Sequence, residues 1–100
     1  MYSMENIKKL PKMSTLAPAA MAAFVAFDQA AMAEGVIPKK YKELMALSVA
    51  LTTQCPYCIE IHKKAAIRAG ATEAEMIEAT FVTAALRAGA AVTHGSHLID

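Results

Sequence analysis

The chain has 100 residues, of which 56% are apolar and 19% charged, with a formal net charge of +1. That length sets a single domain as the prior, since domains most often run to about 100–150 residues. Four Gly and four Pro are too few for a disordered or turn-rich all-β chain. The near-neutral balance, with no basic stripe interleaved with aromatics, excludes an electrostatic nucleic-acid surface. Ala alone supplies 22 residues, whereas Val and Ile together supply 12; Ala is the best helix former and the β-branched pair favours strands. The composition predicts an all-α domain. One compact core of this size cannot hide so much apolar surface, so a further hydrophobic face is expected to be buried against copies of the chain or a partner.

In chain order, residues 1–15 are Lys-rich and non-periodic around Pro11, and read as an N-terminal arm; residues 16–100 read as one helical domain. Lys8, Lys9 and Lys12, the apolar run 16–27 and then Ala31, Met32 and Ala33 mimic a secretory leader. Pro18 near the start of that run, and Asp28 and Gln29 directly after it, argue instead for a first helix and a cytoplasmic protein. No unbroken apolar run reaches the length of about 18 residues that spans a bilayer, so no membrane is expected.

Pro18 suits the first turn of a helix, where its missing N–H is harmless, and Met21, Phe24, Val25, Asp28 and Met32 continue it to Glu34 before Gly35. A second helix is expected from Pro38 to about Gln54, with Tyr41, Leu44, Met45, Leu47, Ser48 and Leu51 as its apolar stripe. Pro56 starts a third, with Cys55 at its cap and Gly70 as its stop. Thr72 and Glu75 form a capping box for a fourth helix to about Arg87. Gly89 then breaks or bends the chain, and residues 90–98 give a fifth helical piece.

Cys55, Pro56, Tyr57, Cys58 and His62 carry the chemistry. Residues three and four apart on a helix are neighbours, so Cys55, Cys58 and His62 share a face. Two thiols at i and i+3 at a helix start can close a disulfide, and the free N–H groups and positive dipole end there favour thiolate. His62, one turn beyond Cys58, is placed to accept or return a proton near neutral pH. A thiolate, a second thiol and a base are what peroxide reduction needs: attack on the O–O bond, a sulfenic acid, then its capture as a disulfide. A zinc site with His94 and His97 is the alternative, although their H-x-x-H spacing is shorter than the usual three to five intervening residues. Two ordinary buried cysteines are another.

Glu43, separated from Cys55 by eleven residues, completes a pattern with Cys55, Pro56, Tyr57, Cys58 and His62. Together with the following Arg68, Ala69, Gly70, Ala71, Thr72 and Glu73, it resembles the alkyl hydroperoxidase D (AhpD)-like core of the carboxymuconolactone decarboxylase superfamily. The likeness spans about residues 36–97. It implies a bundle of about five helices assembling into homo-oligomeric trimers or hexamers. It also implies a thiol peroxidase or disulfide reductase working through a redox-active Cys55–Cys58 disulfide. Carried over, Cys58 is the peroxidatic cysteine, Cys55 resolves it and faces the reductant, and His62 with Glu43 forms the proton relay. At 1.5 Å per residue Glu43 lies about 16 Å back from the turn and His62 about 9 Å beyond it, a gap for side-chain length, tilt or a water to bridge. Read without the family, Glu43 is a solvated carboxylate on a helix face.

Tyr57 departs from the pattern, because well-known members carry a relay His at this position. A phenol can hydrogen-bond a thiolate but is a poor base at neutral pH, so Tyr57 is a neighbour of the relay, not a member. The helix dipole favours thiolate at Cys55, whereas the resemblance assigns attack to Cys58; a proton donor for the leaving oxygen, His62, stands beside Cys58. The leading expectation is a peroxidase that reduces hydroperoxides and is recycled by an external dithiol or thioredoxin-like donor. The sequence carries no flavin or nicotinamide fingerprint and no cofactor is expected. A decarboxylase-branch acid–base enzyme and a non-catalytic, redox-sensing helical assembly are the alternatives.

Overall fold

A computed structural model describes residues 2–100, and among these every regular element is helical. A 3₁₀ segment, Met4–Lys9, leads into α1 (Leu10–Leu16) and α2 (Pro18–Met32). Then come α3 (Lys39–Thr53), α4 (Pro56–Arg68) and α5 (Glu73–His94), closed by a 3₁₀ turn at Gly95–Leu98. The central element is α3, with α4 and α5 both packed along it, while α1 and α2 form a hairpin that touches the rest mainly where α2 meets α3. Leu47, Ala66 and Ala71 make the buried core, with Leu44 and Met76 against it. Ala66 is fully buried, so α4 approaches its neighbours with nothing larger than a methyl between them.

Local chemistry sets the elements that position the cysteines. Helix α3 stops at Gln54, whose φ of +54° is left-handed and whose N–H bonds to Ala50 O. Gln54 is the one non-Gly residue with positive φ among those described, a conformation costing about 1–2 kcal/mol in an L-residue. That reversal leaves one residue, Cys55, to cap α4, and Pro56 occupies the first turn. At the other end Gly70, with φ of +96°, ends α4 while Ala71 N–H returns to Ala66 O at 2.9 Å. The Thr72–Glu75 capping box then starts α5, each side chain bonding the other's backbone N–H.

Four expectations are adjusted. Residues 10–15 of the expected arm lie in α1 and are α-helical, because Pro11 fits the first turn of that helix. Helix α2 ends at Met32, not Glu34, where Lys39 and Lys42 reach back to the carbonyls of Ala31, Met32 and Ala33. Pro38 sits at the N-cap of α3, one position earlier than its first turn. Finally, α5 runs through Gly89 to His94 without a break. A helical Gly costs about 1 kcal/mol, and Ala88, Ala90 and Ala91 around it are strong helix formers.

The stretch Glu73–Leu98 is, by length and composition alone, apolar enough to cross a bilayer, with a mean hydropathy of 1.2. A search for an unbroken apolar run passes over it because Thr83, Arg87 and Gly89 interrupt the pattern. Half of the apolar stripe expected on the second helix, Tyr41, Met45 and Leu51 of α3, is exposed, as are Phe81, Leu86 and Val92 on α5.

Candidate active site

The antiparallel hairpin of α3 and α4 carries both the two cysteines, at its turn, and the acid–base pair, further along the two helices. Cys55 and Cys58 are free thiols, both partly buried, with their Sγ atoms 2.7 Å apart. Cys55 Sγ also accepts the backbone N–H of Cys58 at 3.3 Å, so it serves as the side-chain cap of α4. The donated S–H of Cys58 and the N–H groups of Cys58 and Tyr57 outweigh desolvation and hold the Cys55 thiol below its ordinary value. The same S–H bond to Cys55, together with burial and the nearby Asp28 carboxylate, pushes Cys58 up to about 11. The pair thus titrates as a unit, its first proton leaving a thiolate centred on Cys55.

One turn further, His62 Nδ1 lies 2.7 Å from Glu43 Oε2. The contact is direct; tilt and side-chain length close the gap that helix arithmetic left, without a bridging water. Glu43 is not a solvated carboxylate but 2% exposed, in the middle of the α3–α4 contact. Its second oxygen takes the ammonium of Lys39 at 3.0 Å. Burial opposes ionisation of Glu43, but the bonds from His62 and Lys39 prevail and its carboxyl is held below the ordinary value of 4.5. With Nδ1 occupied by the carboxylate, Nε2 is the ring nitrogen left to exchange a proton.

Tyr57 turns away from the thiols. Its hydroxyl accepts from Asn6 Nδ2 at 3.0 Å and from the backbone N–H of Ser3 at 3.4 Å, and its ring meets that of Tyr2 edge-on at 4.8 Å. Only the backbone of Tyr57 serves Cys55. His94 and His97 pair with each other at 6.0 Å between ring centroids. Among the described residues no three His, Cys, Asp or Glu side chains converge as a metal-binding group would require. Lys39 is the member of the cluster that sequence reasoning passed over. Its i,i+4 spacing to Glu43 was visible, but such pairs are common on solvated helix faces.

A sequence profile described as the carboxymuconolactone decarboxylase family matches residues 18–100. The chain belongs to this family. A Paracoccus denitrificans relative named "Uncharacterized protein 4 in cox locus" is 47% identical over 74 residues, which cover 74% of this chain and 67% of that protein. An uncharacterized protein of Cupriavidus necator is 32% identical over 79 residues, covering 79% of this chain and 70% of its own. The crystal structure of an apo carboxymuconolactone decarboxylase family protein from Legionella pneumophila superposes with a TM-score of 0.77 at 32% identity, over 82% of this chain and 73% of that one. A Methanobacterium thermoautotrophicum protein gives a TM-score of 0.82 at 30% identity, over 88% and 99% of the two chains. The AhpD-like likeness of the sequence thus has its counterpart in an all-helical family fold.

Proposed function

We propose that this family member is a thiol-dependent peroxidase that reduces organic hydroperoxides through Cys55 and Cys58. The observation that carries the reading is the thiol pair at the start of α4, its sulfurs 2.7 Å apart, one turn from an imidazole held by a buried carboxylate. In the reduced state the thiolate is on Cys55 and the remaining proton on Cys58. As Cys58 attacks the terminal oxygen of the hydroperoxide, that proton passes to Cys55 and the O–O bond breaks. Cys58 becomes a sulfenic acid, and the departing alkoxide takes a proton from Nε2 of His62, whose positive charge Glu43 stabilises. Cys55 then attacks the sulfenic sulfur, water leaves, and the disulfide forms. The peroxide gains two electrons and the dithiol loses two. An external dithiol or thioredoxin-like protein restores the pair by thiol–disulfide exchange through a mixed disulfide at Cys55.

The same reading has the chain working as a homo-oligomer, a trimer or a hexamer, in which the exposed apolar faces of α3 and α5 are covered. The experiment is peroxide turnover with tert-butyl hydroperoxide and a dithiol donor. Cys58→Ser abolishes consumption, whereas Cys55→Ser leaves a sulfenic acid at Cys58 that dimedone traps. The opposite pattern would reverse the two roles. Unchanged thiol content after one equivalent of hydroperoxide, in folded protein, would end the peroxidase reading.

A further inference from the structure

Glu43 stands between two positive partners of different kinds. Oε2 takes His62 Nδ1 at 2.7 Å, and Oε1 takes Lys39 Nζ at 3.0 Å. The ammonium is itself fixed from a third side, since Lys39 Nζ donates to the carbonyl oxygen of Met32 at 2.7 Å, at the end of α2. The backbone N–H of Lys39 is bonded to Glu34 Oε1 at 3.2 Å, so the residue is held at both ends. The other charged groups nearby are committed elsewhere. Lys42 caps the carbonyls of Ala31 and Ala33, Lys40 pairs with Glu75 of α5, and Asp28 of α2 acts on Cys58.

A buried carboxylate left with an imidazole alone would hold the proton on the ring, because deprotonating His62 would leave its charge unpaired. Lys39 removes that constraint, as a cation that stays charged whatever the state of the ring. We propose that Lys39 is a positioning residue that serves as the permanent counter-ion of Glu43, so that His62 can lose and regain its proton during turnover. This rests on the peroxidase reading for its use, but not for its physical test. His62 must gain basicity when the cation is removed. The ammonium and the ring share one carboxylate, at 3.0 and 2.7 Å, and losing a like charge held that close raises proton affinity by about tenfold, or one pH unit.

The test is a titration of the His62 ring Cε1–H by NMR in the reduced protein, the signal assigned by its loss in His62→Asn. Lys39→Gln keeps a donor toward Glu43 and Met32 but not the charge, and raises the midpoint by about one unit; Lys39→Met serves should that variant not fold. Lys39→Arg restores the original midpoint. The alkaline limb of the rate of tert-butyl hydroperoxide consumption, where the proton donor is lost, moves in step. An unmoved midpoint in folded Lys39→Gln, or an equal shift in the Gln and Arg variants, would show that Lys39 only ties α2 to α3. If the midpoint shifts while the unsubstituted chain consumes no peroxide at any pH, the counter-ion role stands and the peroxidase reading falls.

Discussion

Glu43→Gln keeps the volume of the buried side chain and deletes its charge, so it isolates the electrostatics of the α3–α4 contact. Removing one member of a fully buried ion pair costs about 3–5 kcal/mol, largely because the other is left unpaired. Here the partners keep part of their hydration, the side chain of Lys39 being 40% exposed and that of His62 24%. The Gln carbonyl also continues to accept one hydrogen bond. Discounted for that screening, the loss at pH 7 is about 2 kcal/mol, a fall in Tm of roughly 8–16 °C for a domain of this length. The sign of the pH dependence follows from Glu43 being more acidic in the folded chain than its ordinary 4.5. Such a carboxyl stabilises the fold above its unfolded pKa and loses that contribution as pH falls through the folded value. The gap between the unsubstituted chain and Glu43→Gln is therefore full at pH 7 and closes below about pH 4.5. Urea unfolding followed by far-UV circular dichroism from pH 7 to pH 3.5, at one fixed protein concentration, reads both quantities. Equal midpoints at pH 7, or a gap that persists unchanged in acid, would refute the reasoning.

Three further perturbations test other contacts. Cys58→Ala removes the S–H bond that is the main cause of the lowered Cys55 thiol, whose titration then moves toward 9.0, while the step near 11 disappears; thiolate absorbance at 240 nm against pH shows both. Tyr57→Phe keeps the ring against Tyr2 but leaves Asn6 and Ser3 without their acceptor. Limited trypsin digestion after Lys8 and Lys9 should accelerate several-fold, and an unchanged rate would show that the phenol does not hold the segment. Phe81, 69% exposed on α5, belongs to the face assigned to assembly. Sedimentation should give a multimer at micromolar concentration, and Phe81→Glu a smaller species with its helical signal intact; a monomeric unsubstituted chain would contradict the proposed assembly.

What was legible in the sequence was what local backbone chemistry determines. The Thr72–Glu75 box, Pro56 behind a Cys55 cap and the stop at Gly70 each satisfy orphan N–H or C=O groups within a few residues. The pairing of Glu43 with His62 was legible only as a family pattern, since helix arithmetic left a turn between them and the tilt that closes it belongs to tertiary packing. Nothing in a glutamine announces the left-handed turn at Gln54, which follows from the need to place Cys55 at the head of α4. Tyr57 was read against the thiols because its neighbours in sequence are cysteines. Its partners, Ser3 and Asn6, lie more than fifty residues away in a segment without periodicity. Lys39 was hidden for the opposite reason, a spacing too ordinary to single it out.

The apolar excess of the composition has a counterpart in the shape of the chain. A folded monomer of this mass exposes about 5,500 Å² by the usual scaling, whereas this chain exposes 7649 Å². Its radius of gyration is 16.8 Å, against about 13 Å for a compact domain of 100 residues. Among the described residues only Leu47, Ala50, Ala66 and Ala71 are buried apolar side chains, three of them alanines, so the core seen within one copy is thin. Helices this rich in alanine gain little from burial one residue at a time; their use is to let helices approach closely. A second copy against α5 and the outer face of α3 would add the missing layer. The ion cluster is open as well: Glu43 is sealed within one chain, while the side chains of His62 and Lys39 keep part of their exposure. Covering them would lower the local dielectric around the cluster, strengthening both the attraction of Glu43 for its two partners and the repulsion between those partners. In the proposed peroxidase, assembly and proton transfer would therefore draw on the same unfinished surface.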